Sequence, residues 1–150
     1  MPQPATTKLY TPNLLSLATQ LADYPLDTEF EFSAQVRSRT CGSTIDLGVD
    51  LDAEGRVARI GMQVSACAIG QSSAAIMAMG AKGRFPSEIS ETKSVIEDWL
   101  NAPAKSDVAL PDWPKLDAIE PAHEHKGRHG ALLLAWTAMT QALSTEQSSR

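Results

Sequence analysis

Three successive runs of alternating apolar and polar residues occupy the first half of this chain, and they restrict its fold more than any other feature. In the first run Phe30, Phe32, Ala34 and Val36 alternate with Glu31, Ser33, Gln35 and Arg37. In the second, Ile45, Leu47, Val49 and Leu51 alternate with Asp46, Gly48, Asp50 and Asp52, and the third puts Ala58, Ile60, Met62, Val64 and Ala66 on one side. A period of two is that of strands with one wet and one buried face. Asp52-Ala53-Glu54-Gly55 joins the second and third runs as a short turn in which Gly55 suits a positive φ. The result is a three-stranded antiparallel meander whose apolar face needs a cover.

The rest of the chain supplies that cover as helices. Thr11 can cap a helix that has Pro12 in its first turn and Leu14, Leu17, Ala18 and Leu21 on one face, ended by Pro25. After Cys67 a run of small residues from Ala68 to Met77 predicts a helix able to pack closely on the sheet, ending at Gly80 to Gly83. Ser87 followed by Glu88 and Glu91 reads as a capping signal for a helix carrying Ile89, Val95, Ile96, Trp99 and Leu100. Prolines at 103, 111, 114 and 121 make the next stretch mostly loop. A last helix begins near Lys126 to Gly130 and runs to about Leu143, with Leu132, Trp136, Met139 and Leu143 on one face. Strands followed by helices in series predict an α+β domain with the helices on one face of the sheet. One domain spans residues 1–150 with its core over about 9–143, and at 16.1 kDa it needs neither metal nor disulfide merely to fold.

Composition excludes several classes of function. The net charge is −5 and basic residues do not cluster, which argues against a nucleic-acid partner. The longest apolar stretch, Ala131 to Trp136, is far short of the ~20 residues of a membrane span. No targeting segment is evident, so a cytoplasmic protein is expected, in which cysteines serve metal binding, catalysis or simple burial more often than disulfides.

The chain has two cysteines, Cys41 at the turn into the second strand and Cys67 at the start of the small-residue helix. An antiparallel hairpin returns the chain, so the start of strand two and the end of strand three share one end of the sheet, and the two sulfurs with them. The unpaired N–H groups of a helix start suit an anionic sulfur, the form that binds metal. The competing reading of Cys67 is a buried residue packed where strand meets helix. Two thiolates seldom complete a metal site, so other donors are needed, and the candidates are His123, His125 and His129. His129, nearest the helix start, is the preferred third ligand; solvated loop histidines are the alternative. Trp99, Trp113 and Trp136 read as core or loop packing, and Asp46, Asp50 and Asp52 as a solvated strand face.

Thr40-Cys41-Gly42-Ser43, the hairpin that follows, and Cys67-Ala68-Ile69-Gly70-Gln71-Ser72-Ser73-Ala74 resemble the U-type iron–sulfur cluster scaffold family, the NifU N-terminal or IscU-like proteins. Leu134-Ala135-Trp136 is similar to the stretch after that family's third cysteine, particularly in the SufU-like branch. The resemblance implies a SufE/IscU-type fold and a non-enzymatic scaffold. Such a scaffold holds an iron–sulfur cluster, or zinc, takes sulfur from a cysteine desulfurase and passes clusters to acceptor proteins. It carries Cys41 and Cys67 over as ligands. The family's aspartate falls on Ser43, and its third cysteine on Ala131, or on Gly130 if the register slips by one. His129, an external thiol or a second subunit would then complete the site. Two further readings stand beside this one: an adaptor that keeps the fold and binds assembly partners without a cluster, and, ranked last, a thiol enzyme with Cys67 as nucleophile.

Overall fold

The computed structural model describes residues 9–39, 42–103 and 106–148. Thr11 opens helix α1 (Pro12–Thr19) as the sequence predicts, its Oγ1 accepting from the Leu14 N–H at 3.1 Å. The α-helix stops at Thr19, and a 3-10 turn, Gln20–Asp23, leads the chain towards Pro25.

The three runs form one antiparallel sheet in the order β1 (Phe32–Arg37), β2 (Thr44–Leu51), β3 (Val57–Ser65). At the β2–β3 turn Gly55 has φ +90° and donates its N–H to the Asp52 carbonyl at 3.0 Å. Asp52 Oδ1 accepts from the Glu54 and Arg56 N–H groups, an Asx turn that fixes the hairpin register.

Two details depart from strict alternation. Asp50 pairs with Arg59 but Leu51 pairs with Val57, so Ala58 is the extra residue of a bulge and Val57 turns into the core. Phe30 does not extend β1 along its buried face. Its ring lies over the cross-strand pair Gly48 and Gly61 on the opposite face, where a Cβ on either glycine would come within 2.5 and 2.6 Å of it. Arg59 holds the ring there, its guanidinium 4.1 Å from the ring centroid and bonded to Asp50, Thr28 Oγ1 and the Glu29 carbonyl. Beside it Tyr24 accepts from the Met62 N–H at 2.9 Å and Pro25 bridges to Met62, closing the outer edge of β3.

The other face carries Ile45, Leu47, Val49, Ile60 and Met62 into the core. Helix α2 (Ala68–Ala81) and helix α4 (His129–Ser148) cover it, α4 across β1 and β2 and α2 on β3. Helix α1 packs on α2, and α3 (Pro86–Asn101) on α4. Ser87 does not cap α3. Pro86 already supplies a helical φ, so Phe85 takes the N-cap position and the helix begins two residues earlier than a Ser87 cap would place it, with the Phe85 N–H donating to Glu88 Oε2 at 3.1 Å. A 3-10 segment, Leu116–Glu124, accommodates Pro121, and a short one, Lys126–Arg128, leads into α4, which continues past Leu143.

Trp113 belongs to the core. Its indole fills the space left by Gly80, donates to the Ile76 carbonyl at 2.9 Å and meets Trp136 edge-on at 4.9 Å. Among the described residues no helix is long and apolar enough to cross a membrane.

Candidate functional site

Cys67 occupies the N-cap position of α2, with extended backbone (φ −67°, ψ 173°) and its carbonyl accepting from the Gln71 N–H at 3.0 Å. The N–H groups of Ala68, Ile69 and Gly70 therefore have no partner within the helix, and no acidic residue lies in its first turn. Gln71 returns its side-chain amide to the Ala66 carbonyl at 3.0 Å, which fixes the corner where β3 becomes α2. Cys67 is half-buried against the core.

The register Thr44↔Ser65 puts the start of β2 beside the end of β3, and Ser38 closes the β1–β2 connection by donating its N–H to the Ser43 carbonyl at 2.8 Å. Cys41 lies outside the described residues. Its neighbours Gly42, with φ +72°, and Ser43 precede Thr44 at the same end of the sheet as Cys67. Ser43, in the position the resemblance gives to an aspartate, is buried and carries no charge.

Ala131 occupies the place expected of a third cysteine. A Cβ built on Gly70 would stand 3.3 Å from the Ala131 carbonyl oxygen and 3.4 Å from its Cβ, so Ala131 faces the first turn of α2. The alanine methyl offers no metal ligand there.

His129, the expected third ligand, stands on a different face of α4 from Ala131. His129 starts α4, two residues and about 200° of helix rotation before Ala131, so the face of α4 that meets α2 does not carry it. Its Nε2 lies 2.9 Å from the His123 carbonyl and 3.2 Å from that of Ala122. Carbonyls only accept, so Nε2 carries the proton and Nδ1 alone is left for a metal. His123 likewise donates from Nε2, to the Trp99 and Ala102 carbonyls at 3.0 and 2.9 Å, tying the end of α3 to the 3-10 segment. His125 sits in the joint between the two 3-10 segments and not on α4, so the spacing of four to His129 does not put the two on one helix face. Among the described residues no group of three or more His, Cys, Asp or Glu is placed to hold a metal ion.

Two residues that sequence reasoning passed over position this end of the fold. Ser72 Oγ donates to the Leu14 carbonyl and Ser73 Oγ to the Leu132 carbonyl, both at 2.6 Å, and Ser73 Oγ accepts from the Trp136 indole at 3.0 Å. They pin α1 and α4 to the first turns of α2 and so fix Ala131 relative to Cys67. A pair of serines inside an otherwise apolar helix was the available signal.

The arrangement has close counterparts among solved structures. A NifU-like N-terminal protein from Brucella abortus superposes with a TM-score of 0.85 at 23% identity, over 98% of this chain and all of that one. The chain has the NifU-like fold. A protein from the thermophile Fervidobacterium islandicum, named as an iron–sulfur cluster assembly scaffold of the SUF system, shares the NifU-like fold with a TM-score of 0.76. That match has 16% identity over 91% of this chain and 97% of the other. No protein-family model matches the sequence, and neither does any curated protein.

Proposed function

We propose that this chain is an iron–sulfur cluster assembly scaffold or carrier, a binding protein and not an enzyme, whose ligating thiolates are Cys41 and Cys67. The observation that carries the reading is the position of Cys67: it caps α2 at the same end of the sheet as the residues flanking Cys41, in a fold shared with a NifU-like protein and with a protein named as an iron–sulfur cluster assembly scaffold. Soft thiolate donors at a helix N-terminus suit iron–sulfur clusters. A structural zinc site wants four protein ligands, which makes zinc the weaker occupant. A cysteine desulfurase supplying sulfur and acceptor proteins taking the cluster, in the cytoplasm, are the partners this role requires.

Anaerobic reconstitution of the purified chain with ferrous iron and sulfide tests the reading. Thiolate-to-iron charge-transfer absorption should develop in the wild type and fail in Cys41→Ser and Cys67→Ser; a colourless wild type sinks it. His129 enters the ligand set only if its ring turns Nδ1 to the metal, and an unchanged cluster lifetime in His129→Ala removes it.

The adaptor reading is favoured by one observation, the alanine at 131 against Gly70 where the resemblance places a thiolate. Under it a cysteine desulfurase or acceptor should bind a Cys41→Ser/Cys67→Ser double variant as tightly as the wild type.

A further inference from the structure

The sheet has two edges, and they are finished differently. On β3 the Met62 N–H turns away from β2 and donates to the Tyr24 carbonyl at 2.9 Å. The outer edge of β1 has no such cover among the described residues. Ser38 opposes Ser43 and donates to its carbonyl, so Val36, Ala34 and Phe32, at steps of two along the ladder, point their backbone groups at β2. Ser33, Gln35 and Arg37 therefore point theirs outward. No proline and no bulge interrupts this strand, features that commonly blunt an edge. Its core-side row also stays half-exposed: Phe32, Ala34 and Val36 are partly buried, whereas Val49, Leu47 and Ile45 opposite them on β2 are buried.

We propose that two copies of this chain pair antiparallel along β1, about a two-fold axis at Gln35, joining their sheets into one. In that register Ser33 stands opposite the partner's Arg37 and Gln35 opposite the partner's Gln35, each opposed pair exchanging two backbone bonds. The charges at the strand ends select this arrangement. Glu31 precedes β1 and Arg37 and Arg39 finish it, all three exposed, and among the described residues none of them makes an ion pair. Antiparallel pairing lays the Glu31 end of each copy on the Arg37 to Arg39 end of the other, and parallel pairing would set like charges side by side. Centring on Gln35 uses every outward group of the strand without calling on the Glu31 N–H, which Asp50 Oδ1 already accepts at 2.7 Å.

On the core side Ala34 then packs against the partner's Val36, covering apolar surface that one copy leaves in water. A net charge of −5 on each chain opposes the approach, so the pairing is weak and depends on concentration. It needs no cluster. Cys67 follows the end of β3 that lies beside the Thr44 end of β2 and the Arg37 end of β1, so the two-fold sends the two Cys67 residues to opposite ends of the joined sheet.

Sedimentation equilibrium of the full chain, free of iron and kept reduced, tests the pairing. The expected result is a rise with concentration from the 16.1 kDa of one chain towards twice that mass. Gln35→Pro removes an outward N–H that no described residue accepts, and should raise the dissociation constant about tenfold while the far-UV circular dichroism stays that of the wild type. Glu31→Arg and Arg39→Glu should each weaken pairing on their own. An equimolar mixture of those two variants should recover it, since both ends of the mixed pair again join opposite charges. A single-chain mass at every concentration overturns the proposal and leaves the edge to an extended segment of another protein. A doubled mass that a folded Gln35→Pro does not disturb also overturns it. Where Gln35→Pro fails to fold, the charge exchange decides: a mixture that pairs no more tightly than its two components overturns the antiparallel register.

Discussion

Gly70 stands so close to Ala66 that the glycine cannot gain a methyl without displacing something: the new Cβ would lie 2.7 Å from the Ala66 Cβ, and it would also stand 3.3 Å from the Ala131 carbonyl oxygen on α4. Neither neighbour is the far end of a flexible side chain. Gly70→Ala should therefore destabilise the fold by about 1–3 kcal/mol of overpacking, against the 0.5–1 kcal/mol or so that alanine ordinarily gains over glycine in a helix. A lower urea midpoint with an unchanged slope is the expected result. A midpoint at or above that of the wild type would show that the corner between β3 and α2 gives way easily here.

The same contact sets the outcome of restoring a thiolate. Ala131→Cys adds one sulfur to a buried position that faces the first turn of α2 beside Cys67. The reconstituted variant should lose its visible absorption to a chelator several-fold more slowly than the wild type. Equal rates would mean that position 131 does not look into the cluster site.

Ser73 is both donor and acceptor in the buried layer between α2 and α4. Ser73→Ala leaves the indole N–H of the fully buried Trp136 without a partner, at a cost of about 1–3 kcal/mol. Denaturation should show the loss, and Trp136→Phe made on top of it should cost less than the same change in the wild type. Additive effects of the two substitutions would rule out the coupling.

Asp50 should give the strap over the open face of the sheet its acid sensitivity. The Glu31 N–H at 2.7 Å, and after it Arg59, hold the Asp50 carboxyl below its ordinary value of 3.8, with partial burial opposing them. A carboxyl whose value is lower in the folded than in the unfolded chain contributes stability above 3.8, and this is lost as pH falls through the folded value. Asp50→Asn should be less stable than the wild type at neutral pH, and the two should converge below pH 3.8. A constant gap across that range would locate the acid response elsewhere.

Local periodicity made most of the architecture legible. Alternation gave the three strands, Thr11-Pro12 the start of α1, and the small-residue run the close-packed α2, because each of these patterns is enforced by burial of one face of a single element. Phe30 misled for a physical reason: it continues the alternation of β1, yet Gly48 and Gly61 across the sheet leave a slot on the other face that the ring fills. Ser87 looked like a cap because the cue that outweighs it, Pro86, acts through backbone geometry and not through a side-chain bond.

The sequence alone carried the antiparallel meander, the helical cover and the pairing of the Cys41 and Cys67 segments at one end of the sheet, since alternation and a tight turn leave a hairpin no other way to return. Only the tertiary structure decided what stands around that pair. The rotation of α4 turns His129 to the carbonyls of Ala122 and His123 and Ala131 to Gly70, and it is set by contacts remote in sequence, above all Ser73 with Leu132 and Trp136. Helical periodicity defines a face of α4 but not the neighbour it meets, which is fixed by the packing of α4 on β1, β2 and α2 together.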